Sequence, residues 1–425
     1  MNESLDQKWF EQLRVLSSKT AEDEKMKQTM HIEPDEQEQF FADDIENPLF
    51  KYKNQGATQK IDAEIAAFEK ELIATEKDAI VLDLYRRKLE NQNTRNALLA
   101  ASGEGNDQEF HRLSIAVYGK PKKKYFSYVA KQLQLLCKQT ASNDAAKRRL
   151  CRIVSKIDTK QVDIDNSILP PLEIGSEYIT SVEQVVAIFQ LALDQYKLEG
   201  WKLQVDSTTV RKIFSVNNQT KTVHIPSESR LLTRLHQLTE LNIEALAAHE
   251  IGVHARRSAA GEASSLQLLR IGLDSYLTGE EGVAGYVQQQ VEGAGEFYGF
   301  DRYMAASFAI GLDGQKRDFR GVFSLMVDYY IMKYANDDGV TTKQLKVRAQ
   351  QAAWEVCVRI FRGTTGQTPG CIYTKDIVYL EGNISIWHLL SDKPHVFPEL
   401  FVGKFNPLIT RHVKSLQTLG IIKEW

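Results

Sequence analysis

Two of the nine histidines stand close together in the segment His249-Glu250-Ile251-Gly252-Val253-His254. In peptidases with the HExxH motif, a spacing of four residues puts both imidazoles on one helical face, and the Glu serves as base. Here the spacing is five residues, so a regular helix rotates the second imidazole about 140° away from the first, too far to share a metal ion. Two ordinary helix histidines are therefore one interpretation of this segment.

Two local distortions would bring His249 and His254 together. A π-helical turn contains one extra residue and nearly aligns positions i and i+5, and such turns occur often at functional sites. Alternatively, the helix loosens near Gly252, because Gly lowers helix stability by about 1 kcal/mol relative to Ala. In either case Glu250 would lie beside two metal ligands, where a metallopeptidase needs its base.

A third protein ligand is usual in zinc hydrolases, with water in the fourth position. Glu281 follows His254 by 27 residues and lies at the predicted start of a helix. The same residue forms a T-x-x-E capping box with Thr278, a role that requires no metal. Glu280 competes for either role, so the residues leave ligand and cap open.

A cluster near the C-terminus contains Arg359, Arg362, Lys375 and Tyr379. Such side chains can hold a carboxylate and donate hydrogen bonds to an oxyanion. Turn chemistry combined with surface charge is the alternative. The sequence has no GxSxG elbow, no P-loop and no GxGxxG after a strand, so the motifs of serine hydrolases and nucleotide-binding folds are missing.

The periodicity of apolar residues predicts an α+β protein that is mostly helical. An alternating run predicts a strand at 201–205, and two more predict a hairpin within Arg211–Ile225 around Asn217–Thr220. We therefore expect a small antiparallel sheet between helical regions. Helices are predicted over about 61–101 (as one or two), 106–117, 123–141, 143–153, 181–198 and 231–257.

The N-terminal part is acidic and poor in apolar residues between about 20 and 46, and Pro34 interrupts any helix there. Such a composition predicts a solvated segment, so residues 1–46 are expected to form a mobile arm. A docking or self-inhibiting segment is the alternative. The expected division then continues with a helical region over 47–175 and a metal-binding domain over 176–425.

The overall composition is that of a soluble protein: 425 residues, a net charge of −3 and 43% hydrophobic residues. This balance gives no reason to expect nucleic acid or a membrane as partner. The four cysteines form no CxxC pair, which disfavours a disulfide scaffold and a zinc-finger site. The N-terminus lacks the features of a signal peptide, and no apolar run could span a membrane. We expect a cytoplasmic protein with free thiols.

Several separated segments resemble the microtubule-associated tyrosine carboxypeptidase family, whose bacterial relatives are called QEGLA-motif proteins. The resemblance extends from about residue 47 to 415, and its HExxxH spacing is a family hallmark. The segments are NPLFKY (47–52), EFHRLSIAVYGKP (109–121), HEIGVHARR (249–257), EEGVA (280–284) and VRIFRG with PGCIYTKDIVYLEG (358–382).

This resemblance implies a hydrolase with a zincin-like metallopeptidase domain that removes a C-terminal aromatic residue, Tyr or Phe, from a peptide or protein tail. In eukaryotic members the substrate is the acidic tail of α-tubulin. Carried over by position, the implied zinc ligands are His249, His254 and Glu281, and Glu250 is the general base. The implied substrate-binding residues are Arg257, Arg362, Lys375 and Tyr379.

Zinc is the expected ion, because two imidazoles and a carboxylate suit it and it binds such sites tightly. The chain departs from the family at Ala260, Glu280 and Val283, and none of these departures removes an implied ligand. The competing hypotheses are a non-catalytic zinc-binding regulator or scaffold, and a metalloprotease acting as an amidase or endopeptidase. The intact Glu250 argues against the scaffold, because a structural zinc site needs no base.

Overall fold

Helices make up most of the chain in a computed structural model of the protein. The structure describes residues 4–19, 22–33, 35–52, 58–140, 145–173, 175, 177–207, 214–232, 238–335 and 341–425. The prediction of a mostly helical protein with small sheets is confirmed. The helices predicted between residues 61 and 198 are present. In chain order the first nine are α1 (Gln7–Lys19), α2 (Glu22–Thr29), α3 (Glu36–Phe41), α4 (Thr58–Thr75), α5 (Ala79–Glu104), α6 (Asp107–Tyr118), α7 (Lys123–Gln139), α8 (Ala145–Val154) and α9 (Val182–Gln195).

The described residues of the C-terminal half contain ten further helices and a π-helical turn at Glu250–Ala255. The predicted helix over 231–257 is therefore interrupted, with residues 233–237 outside the described part of the chain. The ten are α10 (Glu228–Leu232), α11 (Glu240–His249), α12 (Arg256–Ala263), α13 (Leu268–Ile271), α14 (Leu277–Glu292), α15 (Phe300–Ala309), α16 (Phe319–Lys333), α17 (Thr342–Phe361), α18 (Ile377–Asp392) and α19 (Thr410–Thr418). Single 3₁₀ turns lie at Asn166–Ile168, Thr374–Asp376, Pro394–Val396 and Pro398–Phe401.

Two small sheets accompany the helices. One pairs β1 (Met30–His31) with β2 (Lys51–Tyr52), and the other has the strand order β3 (Lys202–Val205), β5 (Thr222–Ile225), β4 (Ser215–Asn217). The predicted hairpin is confirmed for β4 and β5, whereas residues 211–213 lie outside the described residues. The expectation of a wholly antiparallel sheet is wrong, because β5 inserts between β3 and β4 and runs parallel to β3.

The N-terminal segment is packed against the rest of the chain, which corrects the mobile arm predicted for residues 1–46. Trp9 and Phe40 are almost completely buried, and Phe40 makes edge contacts with Phe319 and Phe323. The buried Asp6 carboxylate accepts hydrogen bonds from Tyr85 and from backbone amides of the α13 region. The acidic composition of residues 20–46 does not reveal this packing, whereas α1 buries Trp9, Phe10, Leu13 and Leu16 at helical spacing.

The largest cluster of buried apolar side chains joins both halves of the chain. It combines residues of α3 and α7 with residues of α15, α16, α17 and α18. A second cluster joins α1, α4 and α5 to residues near the C-terminus. The regions predicted as 47–175 and 176–425 thus share core contacts, and the boundary at residue 175 stays a prediction.

One pair of cysteines differs from the expectation of free thiols. Cys137 on α7 and Cys151 on α8 form a disulfide across the packed helix pair. The other two, Cys357 and Cys371, are free and buried. Cys137 and Cys151 meet because α7 and α8 pack against each other, and a search for CxxC spacing does not detect a pair 14 residues apart. No described helix combines the length and apolar character needed to cross a membrane.

Candidate metal centre and active site

The π-helical turn places both histidines on one side of the helix. α11 begins with a capping box, in which Thr239 and Asn242 hydrogen-bond to each other's backbone amides. It continues in α-helical geometry to His249, and the wider π turn of Glu250–Ala255 follows. The imidazole centroids of His249 and His254 are consequently 5.0 Å apart. Of the two distortions that the spacing allowed, the chain uses the π turn.

Glu281 approaches the two histidines from α14. One donor atom from each of His249, His254 and Glu281 lies within 4.8 Å of the others, and within the described part of the chain no other group of His, Cys, Asp or Glu meets this condition. α14 already begins at Leu277, and no side chain caps it. The Thr278–Glu281 capping box is therefore not formed, and the carboxylate of Glu281 points to the histidines instead.

Glu280 lies behind His254 and holds it in position. Its carboxylate accepts a hydrogen bond from Nδ1 of His254 at 2.9 Å, which leaves Nε2 facing Glu281 at 3.9 Å. Glu280 also pairs with Arg257 and lies 3.6 Å from Nζ of Lys404. Carboxylates bonded to the second nitrogen of a ligating histidine fix its tautomer and ring orientation.

Arg257 is fully buried, and this position corrects the substrate-binding role predicted for it. Its guanidinium donates hydrogen bonds to Glu280 and to the backbone carbonyls of Gly403 and Phe405. With no exposed surface, the side chain cannot contact a substrate. The sequence places Arg257 close to His254, but the direction of its side chain depends on which face of α12 is buried.

Burial lowers the pKa of His249 and raises the pKa of Glu250. Burial and the nearby His254 lower the pKa of His249 to about 3, so its imidazole is neutral, the form that binds a metal ion. Burial raises the pKa of Glu250 to about 7, and the charge of Glu281 adds to this rise. A carboxylate with a pKa near neutrality suits proton transfer in both directions.

The charges around His254 favour a cation. Burial would lower the pKa of His254, but the hydrogen bond that His254 donates to Glu280 and the charges of Glu281, Glu280 and Glu250 raise it to about 9. Burial also raises the pKa of Glu281, and the charges of His254 and Lys375 oppose that rise. Three carboxylates thus surround one imidazole, so a positive charge among them is stabilised.

These donors fit a zinc ion. Two imidazoles and one carboxylate are a usual set of three protein ligands at a catalytic zinc site. Bonds of about 2.0–2.2 Å in tetrahedral geometry place two ligand atoms roughly 3.4 Å apart. The 3.9 Å between Nε2 of His254 and Glu281 needs only a small side-chain adjustment to reach this separation.

α14 and α18 cross in direct backbone contact beside the centre. A Cβ added to Gly282 would overlap the backbone of Gly382, and one added to Gly382 would overlap the carbonyl of Thr278. The two glycines therefore set the distance between the helix that carries Glu281 and the helix that carries Tyr379. This crossing explains why the C-terminal cluster lies near Glu281.

An aromatic wall continues from His249 to the C-terminal cluster. The ring of Tyr298 lies 5.7 Å from that of His249 and 5.7 Å from that of Tyr379. The guanidinium of Arg302, in the first turn of α15, lies 5.8 Å from the Tyr298 centroid and 4.7 Å from the Tyr379 centroid. Gly299 adopts φ +87°, and any Cβ there would collide with Tyr379.

The remaining cations of the cluster have different surroundings. Arg359 donates two hydrogen bonds to Asp376, at 2.8 and 3.0 Å. Arg362 is buried and stacks 5.6 Å from the ring centroid of Tyr373. Lys375 lies in the 3₁₀ turn before α18, partly exposed. Of the residues predicted to bind substrate, Lys375 and Tyr379 are electrostatically close to Glu281.

Sequence reasoning missed Tyr298 and Arg302. Neither belongs to a motif, because their place beside His249 and Tyr379 depends on the contact between the starts of α15 and α18. The only local signal is the segment Tyr298-Gly299-Phe300, in which Gly299 supplies the positive φ that begins α15.

Comparison with known proteins identifies one family. The model of the family described as microtubule-associated tyrosine carboxypeptidase matches residues 38–289 and 341–424. The matched ranges include the π turn, the start of α14 and the C-terminal cluster. No curated protein and no solved structure matches the chain.

Proposed function

The chain belongs to the microtubule-associated tyrosine carboxypeptidase family, and from this membership we propose that it is a zinc-dependent carboxypeptidase releasing a C-terminal Tyr or Phe. The family implies tyrosine carboxypeptidase activity on a protein substrate. The zinc dependence, the zincin-like character of the domain and the roles below are our proposal. The observation that carries it is the convergence of His249, His254 and Glu281, with Glu250 in the π turn between the histidines.

In this proposal His249, His254 and Glu281 hold the zinc ion. Bound zinc supplies Lewis-acid chemistry, polarising the scissile carbonyl and lowering the pKa of water at the site. Glu280 keeps the Nδ1 proton of His254 in place, so that Nε2 is free for the metal. Arg257 and Lys404 in turn neutralise Glu280 within the protein.

Glu250 acts as the general base and then as the general acid. It accepts a proton from the attacking water and later delivers one to the amine of the released residue. The raised pKa of Glu250, about 7 as a result of burial, supports both steps near neutral pH. Burial and the charge of Glu281 raise the pKa of Tyr379, so its hydroxyl stays protonated and can donate a hydrogen bond to the developing oxyanion.

Two measurements test the proposal together. Zinc content is determined by elemental analysis for wild type and His254→Ala, and release of Tyr or Phe is assayed on peptides with free C-termini. We expect about one zinc ion per chain in wild type, loss of that zinc in the variant, and release of the aromatic residue by wild type only. His388→Ala, at an exposed histidine of α18, is the matched control and keeps zinc and activity.

The Glu250→Gln variant separates chemistry from metal binding. It should retain zinc and lose most turnover, whereas Glu244→Gln, at an exposed position of α11, the helix that precedes the π turn, should retain both. Zinc without release from any peptide, in wild type, would favour a non-catalytic zinc-binding regulator. Equal cleavage of C-terminally amidated and free-acid peptides would favour an amidase or endopeptidase.

A further inference from the structure

Arg302 is a cation beside the candidate centre whose guanidinium lacks a bound anion. Among the residues that the structure describes, no acceptor lies within hydrogen-bond or ion-pair distance of its side chain, and its contacts are with the rings of Tyr298 and Tyr379. A guanidinium carries five N–H donors, and no nitrogen of Arg302 is among the buried side-chain atoms of the described residues that lack a partner, so its donors remain accessible to an incoming ligand. This side chain is therefore prepared for an anionic ligand.

The neighbouring arginine shows the contrast. Arg359 faces the same Tyr379 ring at 5.9 Å, yet its guanidinium is already bound by two hydrogen bonds to Asp376. Asp376 is buried, and the charge of Arg302 reaches it only at longer range. Both arginines lie over the ring of Tyr379, but of the two only Arg359 forms an ion pair with a carboxylate of the described residues.

The two rings hold Arg302 in a defined place. Tyr298 and Tyr379 are tilted by 70° to each other, and the guanidinium contacts both. Cation–π contacts of this kind are worth about 0.5–2 kcal/mol and leave the edge of the guanidinium open for two parallel hydrogen bonds. Lysine cannot replace such a fork, because its ammonium is a single point charge.

Arg302 lies near enough to the candidate centre for its charge to act on two of the residues there. The charge of Arg302 acts on both His249 and Glu281, and Tyr298 contacts His249 directly. In a peptide the terminal carboxylate lies one residue, roughly 3.5 Å of chain, beyond the last scissile carbonyl. We propose that Arg302 binds the terminal carboxylate of the substrate between Tyr298 and Tyr379, which restricts cleavage to the last peptide bond; this inference rests on the proposed carboxypeptidase function.

Binding to a turnover-deficient protein tests the inference directly. The probe is a fluorescein-labelled peptide ending in Gly-Tyr, compared with the same peptide as its C-terminal amide, on the zinc-loaded Glu250→Gln protein. We expect the free acid to bind at least about tenfold more tightly than the amide. Adding Arg302→Gln should weaken binding of the acid about 10- to 100-fold, to the level of the amide, because one charge-assisted bidentate pair is lost.

Activity and control variants complete the test. With Glu250 intact, Arg302→Gln should raise KM for the free acid more than it lowers kcat, because the carboxylate is held equally in ground and transition states. Arg302→Lys should give an intermediate loss, and unchanged zinc content in both variants shows that the centre remains folded. Arg348→Gln, at an exposed arginine that also lies over a tyrosine ring, should behave as wild type.

Three results would overturn the inference. The first is an Arg302→Gln protein that still prefers the acid, and the second is a Glu250→Gln protein that never preferred it. The third is a loss of the acid preference in Lys375→Gln or Arg362→Gln while Arg302→Gln retains it, since that result would assign the carboxylate to another cation. A zinc-loaded wild type that releases no residue would refute the proposed function itself, a result distinct from these three.

Discussion

Replacing Glu280 by Gln should damage both the stability of the protein and its affinity for zinc. Glu280 is 2% exposed and faces three partners: His254, Arg257 and Lys404. The substitution preserves the size of the side chain and removes its charge. The amide oxygen can accept one of the former hydrogen bonds. The NH₂ group is only a donor, so it cannot accept a hydrogen bond from either Arg257 or Lys404.

The magnitude follows from the burial of the partners. Arg257 and Lys404 are 0% and 4% exposed, so both charges would stay in the interior without their counter-ion. Breaking a buried ion pair from one side typically costs about 3–5 kcal/mol. Loss of the carboxylate behind a metal-bound histidine typically lowers metal affinity about 10- to 100-fold. Burial alone would raise the pKa of Glu280, but Arg257, Lys404 and His254 lower it to about 2, so the charge is present throughout the usual pH range.

The assay measures the two losses separately. Urea unfolding of chelator-treated protein gives the free energy of unfolding, and competition with a zinc chelator gives the zinc affinity. Glu262→Gln is the matched control, because Glu262 also pairs with two cations, Lys221 and Arg270, but is 34% exposed. An exposed pair contributes about 1 kcal/mol or less, so this control should lose little stability and no zinc affinity.

The double variant Glu280→Gln/Arg257→Met sharpens the test. An apolar side chain of similar length removes one uncompensated charge and should restore part of the lost stability, but not the zinc affinity. If Glu280→Gln unfolds within about 1 kcal/mol of the Glu262→Gln control and binds zinc as wild type does, the carboxylate neither neutralises the buried cations nor orients His254.

Three further changes test the fold around the centre. Gly382→Ala should lower the melting temperature and the zinc affinity together, because its Cβ meets the carbonyl of Thr278 and must push α18 away from α14; unchanged values would show that the crossing is loose. Asp274→Asn should lose about 1.5–3 kcal/mol at neutral pH. Although burial opposes ionisation, hydrogen bonds from His412 and Arg411 hold the pKa of Asp274 well below its usual value. The free energy of unfolding of wild type should therefore decrease as pH falls below about 4, whereas that of Asp274→Asn should not show this decrease. Phe40→Ala should cost about 3–5 kcal/mol in urea unfolding, and a smaller effect than about 1 kcal/mol would mean that the N-terminal segment contributes little to the core.

The periodicity of apolar residues predicted much of the secondary structure. The helices α4 to α9 lie within a few residues of their predicted positions, because each has apolar residues at helical spacing. The order of β3, β5 and β4 could not be predicted, since alternation defines a strand but not its neighbour. The packed N-terminal segment was missed because the acidic composition of residues 20–46 does not describe all of residues 1–46, and α1 buries Trp9, Phe10, Leu13 and Leu16 at helical spacing.

The candidate centre was predictable to the extent that it is encoded in short motifs. The HExxxH spacing predicts that the two histidines can share a metal ion only through a π turn or a helix loosened near Gly252, and the turn at Glu250–Ala255 is the first of these. The burial of Arg257 and the surroundings of Arg302 depend on which helices meet, and neither leaves a local pattern. The sequence leaves ligand and cap open for Glu280, whereas in the structure its carboxylate accepts a hydrogen bond from Nδ1 of His254.

The π turn also bears on how this site relates to shorter motifs. A π turn accommodates one additional residue within a helix that is α-helical on both sides, so the flanking stretches keep the faces that they would have without it. A chain lacking one residue of Ile251-Gly252-Val253 would return to an unbroken helix with its two histidines four residues apart, and Arg257 would keep its orientation. The five-residue and four-residue spacings are thus separated by a single codon deletion, and evolution can move between them without rebuilding either helix.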